Sequence, residues 1–92
     1  MENSLTIIWD DGPGENVEHC AEHGITTDEA DEVIKAMFPM RVPSRRGGGR
    51  WVVQGYTATK RFLVVVFELI DEAGIAIPVT AYEPQNKDLV DE

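Results

Sequence analysis

Six consecutive apolar residues, Phe62-Leu63-Val64-Val65-Val66-Phe67, constrain this chain more than any other stretch. A strand with one wet face alternates apolar and polar residues, whereas an unbroken run of β-branched and aromatic side chains must be covered on both faces. The run falls far short of the ~20 apolar residues of a membrane span. It therefore predicts a central strand, with helices packed against at least one side of the sheet. Arg50–Tyr56 precedes it with strand composition, and polar turn residues near Thr57–Thr59 join the two, so Arg50–Phe67 reads as a hairpin.

The flanking segments supply the remaining elements. Leu5–Trp9 alternates Leu5, Ile7 and Trp9 against Thr6 and Ile8, the period of a short strand. Asp10-Asp11-Gly12-Pro13-Gly14 breaks it, and Pro13 suits the opening of a helix because its missing N–H would be unpaired there. In Glu15–Gly24 the residues Val17, Cys20, Ala21 and Gly24 fall at helical spacing, with Gly24 as terminator. Thr26 and Glu29 fit a capping box for a second helix, whose stripe is Ala30, Val33, Ile34, Met37 and Phe38 and which Pro39 ends. Met40–Ser44 then reads as an edge strand, Arg45–Gly49 as a flexible loop and Asp71–Gly74 as a turn. Ile75–Tyr82 alternates as a strand, and its Pro78, with no N–H to donate, requires an edge or a bulge. Pro84 either opens a short acidic helix over Gln85–Asp91 or leads into a frayed tail. This order predicts an α+β fold: a short N-terminal strand, two helices, then a largely antiparallel four-stranded meander.

The chain of 92 residues, 42% hydrophobic and 27% charged, has the size and balance of one globular domain spanning 1–92. Met1–Leu5 lacks the basic and apolar regions of a signal peptide, and the single Cys20 forms no internal disulfide, so a reducing, cytoplasmic location without membrane attachment is expected. The net charge of −9 hides a segregation. Lys35, Arg41, Arg45, Arg46, Arg50, Lys60 and Arg61 fall in a stretch without Asp or Glu that carries +7, while the rest of the chain carries −16. Such a segment either balances the acidic flanks in space or presents a basic surface to an anionic partner.

Trp9-Asp10, His19 and His23-Gly24-Ile25-Thr26, Glu29-Ala30, Arg50-Trp51, Gly55-x-Thr57 and Arg61-x-Leu63-Val64-Val65-Val66 resemble, in content and order, the BrnT-type toxins of bacterial toxin–antitoxin modules. Those proteins belong to the RelE-like group of small ribonucleases. The resemblance spans roughly Trp9 to Ala81 and implies a RelE/BrnT-like fold, engagement of RNA in a ribosomal setting, an antitoxin-like protein partner and cleavage without metal. The chain departs from the pattern at His19, where those toxins carry Asn, at Tyr82, where they carry Arg, and in its acidic total.

Cleavage of RNA without metal requires cations on the crowded phosphorane and groups that move protons. Arg61, Lys60 and Arg50 are the candidate cations, Arg61 foremost because it opens the central strand at the family position and grips two phosphate oxygens at once. His23, Tyr82 and Tyr56 are candidates for proton transfer. His23 is equally explained as a histidine at a helix C-terminus, and Lys60 and Arg61 as solubilising turn residues. The candidate nucleic-acid surface is Arg41, Arg45, Arg46, Arg50, Lys60 and Arg61. His19 and His23 stand at metal-ligand spacing but lack a third ligand, and RRGGG lacks the spacing of a phosphate-binding P-loop, so no metal or cofactor is expected. A non-catalytic module that holds RNA or an acidic protein segment is the alternative reading.

Overall fold

The long strands lie side by side with both helices on one face. The structure is a computed structural model that describes residues 5–84. Its elements are β1 (Thr6–Ile7), α1 (Asn16–Glu22), α2 (Thr27–Met37), β2 (Val42–Pro43), β3 (Arg50–Tyr56), β4 (Phe62–Ile70) and β5 (Ile75–Tyr82). The fold class is α+β, with a sheet in the order β1-β5-β4-β3-β2. It is a five-stranded mixed sheet because β1 joins it, running parallel to β5 through Thr6 and Ile7 opposite Ile75 and Ala76. The stretch Gln85–Asp91, expected as a helix or a frayed tail, lies outside the described residues.

The apolar run sits where its composition requires. β4 is the middle strand, with Val64 and Val65 wholly buried although they point to opposite faces. Leu63, Val65 and Phe67 pack with Val53, Ala76 and Ala81 beneath Cys20, Ala30, Val33 and Ile34 of the helices. Val52, Val64 and Val66 form a second, smaller cluster on the other face, flanked by Val79 and Tyr82. The strand runs to Ile70, beyond the apolar run, because Glu68–Ile70 stay in register with Ile75–Ile77.

Pro78 takes the second of its two options. Its strand has β1 on one side and β4 on the other, so the missing N–H is accommodated by a bulge. Val66 lies opposite Thr80 while Phe67 lies opposite Pro78, leaving Val79 unmatched. The vacated geometry is used by Asn16, whose buried Nδ2 donates to the Pro78 carbonyl at 2.9 Å and to the Ile8 carbonyl at 3.0 Å. Its Oδ1 accepts from the Asp10 N–H at 2.8 Å. One amide thus ties β1, the following turn and β5 together. Helix α1 begins at this residue, not at Pro13, and buries Asn16 and Cys20 while leaving Ala21 exposed. Burial pushes the Cys20 thiol up to about 11, so it remains a neutral core group.

The junction between the helices is tightly specified. Gly24 takes a positive φ of 75°, its N–H bonds Ala21 O and the Ile25 N–H bonds Cys20 O, the hydrogen-bond pair of a Schellman termination with Ile25 buried beyond it. Thr26 and Glu29 form the capping box of α2: Thr26 Oγ1 accepts from the Glu29 N–H at 3.1 Å and Glu29 Oε1 from the Thr26 N–H at 3.0 Å. Pro39 lies within a 3-10 turn, Phe38–Met40, which turns the chain toward β2.

Candidate functional site

The six cations proposed for nucleic acid fall at the two ends of the β3–β4 hairpin. Arg50 opens β3 and Lys60 and Arg61 follow its far end, so they are separated by the length of a seven-residue strand, roughly 20 Å. The hairpin therefore has two basic ends, each to be considered with its own neighbours.

At the turn end, the structure brings Arg61, Lys60, His23 and Tyr82 together. The hairpin is closed by Thr57, which is buried: its N–H donates to Arg61 O at 2.8 Å and its Oγ1 accepts from the Arg61 N–H at 3.1 Å. Lys60 occupies the turn with a positive φ of 72°, and Glu32 of α2 accepts the Ala58 N–H at 2.6 Å. Two residues before Thr57, Gly55 lies under α2. A Cβ there would stand 2.8 Å from Met37 Cγ, so the absence of a side chain is what lets the helix approach. The Gly55-x-Thr57 pattern thus has a complete structural explanation.

Arg61 is occupied by its neighbours. Nη1 donates to Glu29 Oε1 and Oε2 at 2.9 and 2.8 Å and to Gly24 O at 3.2 Å, while Nε and Nη2 donate to Glu83 at 3.4 and 3.1 Å. The guanidinium joins the helix junction to the start of β4 and the residue after β5. Its pKa is raised further, by the hydrogen bond to Glu83 first and that to Glu29 next. Glu29 is held below the usual carboxylate range, chiefly by the Thr26 N–H and then by Arg61. His23 lies beside Tyr82, ring centroids 6.3 Å apart, so two candidate proton-transfer groups do adjoin this ion cluster. Tyr56, the third, stacks edge-on with Phe62 at 4.9 Å in the hairpin itself.

At the other end are Arg41, Arg45, Arg46 and Arg50. Arg41 lies 4.2 Å from the Phe38 ring centroid and 5.0 Å from that of Trp51, and its Nη1 donates to Phe38 O. Its Nε is buried and meets no hydrogen-bond partner among the described residues. Arg50 faces Glu68 across the ladder at 3.4 Å, an exposed pair. Arg45 and Arg46 stand on the loop after β2, where Ser44 accepts the Arg46 N–H at 3.1 Å and its own N–H bonds Arg50 O at 2.9 Å. Gly47, Gly48 and Gly49 all have φ near 75°, which explains the glycine run. Beside this loop lies a groove of roughly 370 Å³ between the end of α2 and the outer side of β3, lined by Met37, Met40, Val42, Pro43, Val52 and Gln54 among others.

Sequence reasoning missed the partners of the cations. Glu29 was legible as a capping residue, but its ion pair with Arg61 spans 32 positions of sequence, and nothing marked Glu83, Glu68 or the groove. Among the described residues, no group of three or more His, Cys, Asp or Glu is placed to hold a metal, and no helix is long and apolar enough to cross a membrane. Comparison with known proteins finds no matching family model, curated protein or solved structure.

Proposed function

We propose that this chain keeps the frame of the BrnT-type toxins, including the antiparallel meander of β2 to β5, and works as a non-catalytic binding protein whose working edge is the β2–β3 end. The observation that carries this reading is the commitment of Arg61 to Glu29, Glu83 and Gly24 O. A cation that stabilises a phosphorane needs donors aimed at the reacting phosphate, and these donors are aimed at two carboxylates instead. An incoming phosphate would also meet the negative charge of Glu29 and Glu83. Arg50 stands a strand's length away, and Tyr82 replaces the arginine that the resemblance calls for. On the β2–β3 side, Arg45 lines an open groove and Arg41 and Arg46 adjoin its lining residues in the chain, an arrangement suited to holding an anionic partner rather than to moving protons.

The test is incubation with messenger RNA and ribosomes in EDTA. Intact RNA is the expected result, and metal-independent cleavage that disappears in a folded Arg61→Ala variant overturns the proposal. One observation favours the second reading, a ribonuclease at the turn end: His23 and Tyr82 adjoin each other and the Arg61 cluster. That reading requires cleavage to fall in both His23→Ala and Tyr82→Phe.

A further inference from the structure

We propose that the outer edge of β3 is a docking site for an acidic, extended polypeptide, which adds to the sheet as a strand alongside Gln54 and sets its apolar side chains into the adjoining groove. This rests on the binding-protein reading and names the partner.

The edge is open because β2 is short. It pairs with β3 only at Val42 opposite Val52 and Pro43 opposite Trp51, and the residues just before it form the Phe38–Met40 3-10 turn rather than a longer strand. Backbone groups alternate sides along a strand. The Arg50 carbonyl accepts from Ser44 on the β2 side, while the Thr57 N–H donates to Arg61 on the β4 side, so the Gln54 N–H and C=O face outward in phase with Arg50 and Val52. Among the described residues they meet no partner. Such groups form a ready template for another strand.

The surroundings select the kind of strand. Met40 is 60% and Val42 55% exposed, large apolar side chains left in water at the rim of the groove. Strand addition would cover them with the alternate side chains of the incoming segment. Arg45 lines the groove, the exposed Arg46 follows it in the chain, and the sequence from Lys35 through Arg61 contains no acid. A partner with glutamate or aspartate between its apolar residues matches both features. A second copy joined edge to edge would set these cations against their own counterparts. RNA would answer the charge but neither the apolar rim nor the outward peptide groups.

The test uses the full chain, isotopically labelled, with a synthetic peptide of about eight alternating valines and glutamates, the length of a typical strand or slightly more. Two controls are the same peptide with lysine for glutamate and the same peptide with two adjacent central prolines, one of which must fall where the ladder needs an N–H. Expected are binding of the glutamate peptide alone, roughly tenfold slower exchange of the Gln54 amide in the complex, and roughly threefold weaker binding by Arg46→Gln, the scale of one partly exposed charge pair. Binding of the lysine peptide as tightly, binding indifferent to the prolines, or an unprotected Gln54 amide overturns strand addition and leaves the binding-protein reading standing. So does binding of oligouridylate but of no peptide, or concentration-dependent dimerisation that protects Gln54 without peptide. Failure of both the peptide and oligouridylate to bind overturns the two together.

Discussion

The two ends of the β3–β4 hairpin carry the same kind of residue to opposite effect. At the turn end, Arg61 is met by Glu29 and Glu83, and its partly buried guanidinium holds the helix junction to the sheet. At the β2 end, Arg46 stands on a glycine-rich loop and Arg41 lies across two aromatic rings beside an open groove. The first cation is part of the structure's connectivity, and so in part is Arg41, whereas Arg46 is exposed to solvent. What separates them is the company supplied by distant segments. An arginine informs about function only when its acceptors are known.

The comparison is most severely tested at Gly55, where α2 reaches the hairpin. Gly55→Val should cost about 1–3 kcal/mol in urea unfolding, the usual penalty for forcing atoms into a packed contact, because Met37 must move. An unchanged midpoint would mean that the contact is loose. Thr26→Ala removes the hydroxyl that caps α2 and should cost about 1 kcal/mol by the same measurement, with Glu29 less well fixed for Arg61.

A smaller effect is expected from pH. Glu29 has its folded pKa depressed, so the unfolded chain binds a proton more readily and the carboxylate contributes stability above its ordinary pKa. That contribution is lost as pH falls through the depressed folded value. Unfolding midpoints measured through the acid range should show a steeper loss for the wild type than for Glu29→Gln, and parallel curves would remove Glu29 from the account. Smallest of all, Arg46→Gln should leave stability within about 0.5 kcal/mol, the usual range for a surface change, while weakening partner binding. A large loss of stability there would erase the contrast between the two ends.

The strands were legible because their signals are local. Arg50–Tyr56 and Ile75–Tyr82 were bounded by their turns at the residues where the structure bounds them, and the helix cap at Thr26 was written in three positions of sequence. Pro78 was readable as a constraint, but choosing bulge over edge depended on β1 returning to pair with β5, a contact between the two ends of the chain. Asn16 shows the same limit: a polar residue at the start of a short helix gives no hint that it will bridge two strands. For the site, charge segregation along the sequence left open whether the basic stretch balances the acidic flanks or forms one basic surface. Folding divided it, because a strand places its ends far apart and because Glu29, Glu68 and Glu83 come in from outside the basic stretch.

The most direct measurement of the central claim is a titration with inorganic phosphate, followed through the side-chain guanidinium resonances of the labelled protein. The account predicts that the Arg46 signal shifts progressively while that of Arg61 stays fixed in its carboxylate pair. A shift of Arg61 at lower phosphate concentration than Arg46 would contradict it, and would return the turn end to consideration as the working site.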